Sequence, residues 1–277
     1  MIGVIDVGGG LRGIYGAGVF DRCLDEKIHF DRCIGVSAGG ANVITYMAGQ
    51  RGRNYRFYYD YAFSKEYMSF RNLVKTGSYI GLDYIYGTLS NENGKDPVDF
   101  DAVINYNGNI TVVATCTDNA EPHYFGIEDF GRNNFRALCA SCCIPLVCKP
   151  VNIDGREYFD GGVSDPVPLE KAFSLGCDKV VLILTKPLDF LRDGRTDKAA
   201  AEIICKKYPA IADALKQRSE KYNSAVKKAL EYEKEGKCLI IAPDDCCGVT
   251  TLSKNKKSLD ALYIKGYKDA SKIKKFI

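Results

Sequence analysis

Two short strand-like segments, Ile2 to Val7 and Asp31 to Val36, each end in a glycine cluster that opens a helical stretch. The first leads into Gly8-Gly9-Gly10-Leu11-Arg12-Gly13 and a helix to about Lys27. The second leads into Ser37-Ala38-Gly39-Gly40 and a helix to about Ala48, which Gly49 stops. Strand, glycine turn and helix, met twice in succession, predict an α/β domain with a mostly parallel sheet, because parallel neighbours need a crossover helix between them.

The later chain keeps the alternation. Strands are predicted at Ile110 to Thr117 and His123 to Ile127, then a helix over about Asn133 to Cys143 that Pro145 ends. Val151 to Phe159 reads as a hairpin turning at Asp154-Gly155, and it delivers Asp160-Gly161-Gly162. A helix near Leu169 to Leu175, stopped by Gly176, precedes Lys179 to Leu184, an apolar run typical of a strand buried on both faces. Helices fill about 196 to 235, and Cys238 to Ala242 makes a last strand. Between 51 and 109 the pattern changes to irregular helices dense in aromatics, which reads as an insertion. Eight of the sixteen residues from Tyr55 to Phe70 are Tyr or Phe, so this block is either a lipid-facing lid or a partly buried helix pair.

Size and composition limit the rest. A chain of 277 residues, 46% apolar and 26% charged, can build a full core without disulfides. Its longest apolar runs, Val180 to Leu184 and Cys238 to Ala242, are far short of the ~20 residues a membrane-spanning helix needs. No export signal is recognisable at the N-terminus, so a cytoplasmic location is expected, with the twelve cysteines as free thiols. Cys139 and Cys142 have C-x-x-C spacing, but no second pair or histidine couple accompanies them; helix packing is expected there, and no metal. The net charge of +3 hides a basic tail: residues 253–277 hold eight Lys against two Asp. Leu259, Leu262, Tyr263, Tyr267, Ala270 and Ile273 recur at helical spacing there. They predict an amphipathic helix, either packed on the body or touching the inner membrane surface as a peripheral contact.

Gly35-Val36-Ser37-Ala38-Gly39 has the G-x-S-x-G form of a nucleophile elbow, a strand-to-helix turn too tight for flanking side chains, with the serine at a helix N-terminus. A serine nucleophile needs a base. Only His29 and His123 exist, neither late in the chain where an α/β-hydrolase histidine falls, so a Ser-His-Asp triad is disfavoured. Asp160 at the hairpin end is the best remaining base, or else a simple Asp-Gly turn residue. The first glycine loop admits three readings: a dinucleotide cradle with Asp31 on the ribose, an oxyanion hole for an ester attacked by Ser37, or glycines chosen for close packing, as Gly13, Gly16 and Gly18 suggest.

Taken in order, Gly8-Gly9-Gly10-Leu11-Arg12-Gly13, Gly35-Val36-Ser37-Ala38-Gly39 and Asp160-Gly161-Gly162 resemble the patatin-like phospholipase family. Ala140-Ser141, Pro145 and the Ile153-Asp154-Gly155 hairpin resemble the family's approach to its catalytic acid. The resemblance covers about residues 1–185. It implies a three-layer α/β fold, with a catalytic domain over 1–185 that includes the insertion at 51–109, and a mainly helical extension, 186–277, packed on it. It also implies hydrolysis of acyl lipids through an acyl-serine, without metal or other cofactor and without nucleic acid. Ser37 is then the nucleophile, Asp160 the proton acceptor, and the backbone of Gly8, Gly9, Gly10 and Leu11 the oxyanion site. Arg12 would meet a headgroup phosphate or anchor the loop to a carboxylate. The alternatives are a nucleotide-binding oxidoreductase using the first glycine loop, or a catalytically silent lipid-binding protein on the same fold; capture of the acyl group by an alcohol other than water is a variant of the first reading.

Overall fold

A computed structural model describes residues 1–252 and 254–277. Its eight strands are β1 Ile2–Asp6, β2 Arg32–Val36, β3 Asn109–Cys116, β4 Pro122–Phe125, β5 Val151–Ile153, β6 Arg156–Asp160, β7 Lys179–Ile183 and β8 Cys238–Ile241. The helices of the first half are α1 Ile14–Asp25, α2 Ala38–Met47, α3 Arg53–Tyr59, α4 Phe70–Thr76, α5 Phe100–Asn105 and α6 Arg136–Ser141. Those of the second half are α7 Leu169–Ser174, α8 Arg195–Ile204, α9 Pro209–Lys234, α10 Lys256–Asp269 and the terminal turn α11 Ile273–Phe276. One sheet joins all the strands in the order β5-β6-β3-β2-β1-β7-β8, with β4 also on β3. The five strands from β3 to β8 run parallel, while β4, β5 and β6 pair antiparallel.

Strands buried on both faces must feed two cores, and these do so residue by residue. Val4, Cys33, Val112 and Val181 face one core, with α1, α2 and α10. Their neighbours Ile5, Ile34, Val113 and Leu182 face the other, with α7 and α9. The result is a sheet between two helical layers, as expected. Each such aliphatic side chain contributes roughly 1.5–3 kcal/mol relative to exposure.

Pairing on β3 decides where the chemistry falls. β4 runs along one edge of β3 from Val112 to Thr115, so β2 and β6 both lie on the other edge. There β2 ends with Val36 opposite Val113, and β6 ends with Asp160 opposite Ala114, the next residue along. The first residue after β2 and the last of β6 therefore come to the same place.

The basic tail lies on the body. α10 packs on α1 so closely that a Cβ on Gly18 would strike Tyr263, and one on Gly266 would strike Tyr15. Tyr15, Tyr263 and Tyr267 donate to Asp269, Asp21 and Asp25 across this contact at 2.8, 2.7 and 2.8 Å, while Lys257, Lys268, Lys272 and Lys274 stay exposed. The aromatic block divides. Tyr58, Tyr67 and Met68 are buried, whereas α4 buries nothing and leaves Phe70 at 77% and Val74 at 86% exposure. Among the described residues, no helix is long and apolar enough to cross a membrane.

Candidate active site

Ser37 sits between β2 and α2 with φ 55° and ψ −131°, a left-handed conformation that non-glycine residues avoid and that a sharp elbow demands. Its neighbours explain why glycine flanks it. A side chain on Gly35 would run into the backbone of Gly39 and Gly40, and one on Gly39 into the carbonyl of Asp6. The Ser37 N–H donates to the buried Ser141 hydroxyl at 2.8 Å, and its carbonyl accepts from Gly40 at 2.9 Å. The side chain thus stands at the N-terminus of a ten-residue helix, where a developing anion is favoured.

Asp160 arrives through the hairpin. Asp154 and Gly155, with φ 50° and 82°, make the two-residue turn, and the buried end of β6 is fixed by Asp160 N–H donating to the Cys143 carbonyl at 2.8 Å. Thr115 donates to the Asp160 carbonyl and Gly162 N–H to its carboxylate, each at 2.8 Å. Burial raises the carboxyl pKa above the ordinary 3.8. Arg218, the Ser37 hydroxyl, the Gly162 amide and Arg192 pull it back down, in that order. A carboxylate raised by burial is a better proton acceptor than an exposed one.

Gly8, Gly9 and Gly10 all have positive φ (64°, 117° and 61°), which a loop folded back against the elbow requires. Beneath them lies Asp6, fully buried, which accepts from Gly8 N–H and Asn42 Nδ2 at 2.8 Å each; burial lifts its pKa to about 6. The four amides proposed for the oxyanion therefore differ. Gly8 is engaged by Asp6, and Leu11 donates to the Thr251 carbonyl at 3.0 Å. Among the described residues the amides of Gly9 and Gly10 have no partner, which leaves at most two of the four free to donate. Gly161 packs against the Val113 carbonyl, Gly162 lies beside Arg218, and Gly13 faces Tyr58; each supports the turn by close approach.

A cavity of about 220 Å³ is lined by Gly8, Gly9, Gly10, Arg12, Ser37, Asp160 and Gly162 together with Lys186, Arg192 and Arg218. A second, narrow apolar cleft of about 20 Å³ also reaches Ser37, between Phe57, Tyr67, Ile80, Leu82 and Ile144. A larger groove of about 670 Å³, between α4 and β5, contains neither Ser37 nor Asp160 and borders the cleft through Ile80 and Leu82.

Other sequence-predicted groups fall elsewhere. His29 stacks on Tyr106 and His123 packs between Phe125 and Tyr158, so neither lines the cavity. Asp31 stands at the amino end of β2 and accepts from Ile2 N–H at 2.6 Å, the opposite end of the sheet from the glycine loop. A ribose-binding acid belongs at the carboxyl ends, which counts against the dinucleotide reading. Arg12 meets no carboxylate among the described residues and donates instead to Thr251 Oγ1 at 2.9 Å, which corrects the carboxylate anchor. The Cys139 thiol faces the Leu82 carbonyl and Cys142 lies 3.2 Å from the Tyr86 hydroxyl; both are buried in packing. Lys186, Arg192, Arg218 and Thr251 were invisible to motif reading, because each reaches the cavity from an element without a fixed spacing to the glycine motifs.

The family model described as patatin-like phospholipase matches residues 7–173, and one described as a domain of unknown function, DUF6363, matches residues 208–275. The chain is 29% identical over 191 residues to the uncharacterized protein YjjU of Escherichia coli strain K12, an alignment covering 67% of this chain and 52% of that protein. It thus spans about half the length of this curated relative. The crystal structure of VipD from Legionella pneumophila aligns with a TM-score of 0.49 at 13% identity, covering 98% of this chain and 66% of that one.

Proposed function

Because the chain belongs to the patatin-like phospholipase family, we propose that it hydrolyses acyl esters of lipids through an acyl-serine at Ser37, with Asp160 as general base. The observation that carries this reading is the common edge of β3, along which the elbow and the hairpin end converge on one cavity. As Ser37 Oγ attacks the ester carbonyl, its proton passes to Asp160, and the Gly9 and Gly10 amides hold the oxyanion, each worth ~3 kcal/mol of barrier lowering. Asp160 returns the proton to the departing alcohol. It next takes a proton from water, whose oxygen attacks the acyl carbon; collapse releases the fatty acid, and the proton goes back to Ser37. The apolar side chains beside Ser37, Phe57, Tyr67, Leu82 and Ile144, are the ones the acyl chain would part and pack against, since the cleft between them has room for only about 20 Å³.

Two further readings belong to this proposal. The exposed face of α4, apolar at Phe70 and Val74 and basic at Arg71 and Lys75, is a peripheral lipid contact. Residues 1–185, which carry the motifs and the insertion at 51–109, fold as one unit with the extension 186–277.

The test is labelling with a fluorophosphonate. Wild type should be modified at Ser37 and should cleave a short-chain ester; Ser37→Ala should lose both, and Asp160→Asn should lose hydrolysis by about 10³-fold or more. Undiminished turnover in Ser37→Ala would sink the reading, and absence of any labelling would favour the silent lipid-binding protein.

A further inference from the structure

The glycine loop follows β1, which lies in the sheet between β2 and β7. Register pairs Asp6 with Gly35 on one side and with Ile183 on the other, so Ser37, Gly8 and Thr185, each two residues further on, leave the sheet side by side. Gly8, Gly9 and Gly10 have no Cβ to limit their torsions, and an amide in such a run keeps its direction only if something outside the run holds it. An oxyanion donor acts by being aimed before the charge develops, so that nothing need reorganise at the moment of reaction.

Contacts from three sides hold the loop at Gly8. Its N–H donates to Asp6 at 2.8 Å, and its carbonyl accepts from the buried Thr185 hydroxyl. On the elbow side a Cβ on Gly8 would strike the Val36 carbonyl and the amides of Ala38 and Gly39, so the loop has no room to slide that way. The far end of the run is fixed where Leu11 N–H meets the Thr251 carbonyl at 3.0 Å. Among the described residues no peptide bond is cis, so the Gly8 carbonyl and the Gly9 N–H point to opposite sides of one planar unit. With the carbonyl turned to Thr185 on the β7 side, the Gly9 N–H turns toward the β2 side, where Ser37 stands.

We infer that Thr185 is a positioning residue for the reaction: by holding the Gly8 carbonyl it sets the plane of the Gly8–Gly9 peptide and aims the Gly9 amide at the oxyanion. It transfers no proton and acts only through that amide. Thr185 lies between the two parts matched by family models, residues 7–173 and 208–275, so neither match assigns it a role. The inference rests on the acyl-ester reading for its chemistry and adds the group that preorganises one of the donors.

A hydroxyl that merely satisfies a buried carbonyl would affect stability alone, and kinetics separates the two roles. Thr185→Val and Thr185→Ala remove the hydroxyl with and without keeping the side chain's size, while Thr185→Ser retains it. On the full chain, kcat and KM for p-nitrophenyl butyrate are measured per fluorophosphonate-titrated site, which counts only folded enzyme. Acylation and deacylation both pass through an oxyanion, so the loss should fall on kcat: about tenfold or more in the valine and alanine variants, with KM within about twofold of wild type. The serine variant should stay within about threefold of wild type in kcat, whatever its thermal midpoint. If wild type cleaves the ester and both hydroxyl-free variants keep its kcat, or if serine is as slow as valine, Thr185 has no positioning role and the acyl-ester reading stands. Wild type that cleaves no ester overturns the acyl-ester reading, and the positioning role with it.

Discussion

Asp160 was legible at the residue scale because a two-residue turn signal, Asp154-Gly155, and a glycine pair bracket it within ten residues of sequence. Arg218 was not. It sits in the middle of a long helix whose surface spacing looks like any solvated face, and only the crossing of α9 over the sheet brings it beside Gly162 and Asp160. The pair makes a pH prediction. If Asp160 must be ionised to accept the serine proton, the acid limb of kcat/KM follows its pKa, which burial holds above 3.8. Activity should therefore fall, as pH is lowered, sooner than for an exposed aspartate. Arg218 stabilises the ionised form, so Arg218→Gln should move the limb to still higher pH. A pH profile on an uncharged short-chain ester measures the shift. A limb that stays in place would remove Asp160, or its coupling to Arg218, from the mechanism.

Among the elements, periodicity locates the parallel strands and α1, α2 and α7 to within a few residues, since each buries a continuous apolar face, while α8 and α9 are read together as helices over about 196 to 235. The insertion was harder. Asp83–Leu89 coils as a π-helix and α3, α4 and α5 are at most seven residues long, too short for a helical period to emerge. Aromatic density also misdirected attention toward the whole of Tyr55 to Phe70, whereas burial separates α3 from α4. On α4 the exposed Phe70, Leu73 and Val74 alternate with Arg71 and Lys75, and Lys149 packs against the following Gly77. Apolar side chains at the headgroup boundary, reinforced by about 1 kcal/mol per basic residue near an anionic surface, predict binding to phosphatidylglycerol-containing vesicles. Phe70→Ser with Val74→Ser should weaken co-sedimentation by about tenfold or more, leaving the fold intact because neither side chain is buried. Unaltered sedimentation of the double variant would assign these residues no part in lipid contact.

For the whole molecule, the motifs occupy the first two thirds of the chain but the architecture does not stop there. After β7 the chain adds β8 to the sheet edge, lays Tyr222, Val226 and Ala229 of α9 on the sheet face that holds Ile5, Ile34 and Leu182, and returns α10 to α1. It also supplies Lys186, Arg192 and Arg218 to the cavity and the Thr251 carbonyl to Leu11. Sequence reading took this stretch as an extension because nothing in its local composition reveals which face it covers; that information resides in contacts between residues more than 200 positions apart, such as Tyr15 with Asp269. A chain cut after residue 185 would retain every motif yet expose the unpaired edge of β7 and the apolar faces under α9 and α10. Bare edges and uncovered apolar surface drive aggregation. The truncated chain should be recovered largely in the insoluble fraction, and any soluble part should lack cooperative thermal unfolding and fluorophosphonate labelling, while the full chain shows both. A soluble, cooperatively folding and labelled 1–185 fragment would mean that the sheet closes without β8, and that the C-terminal third is a separable module rather than one wall of the site.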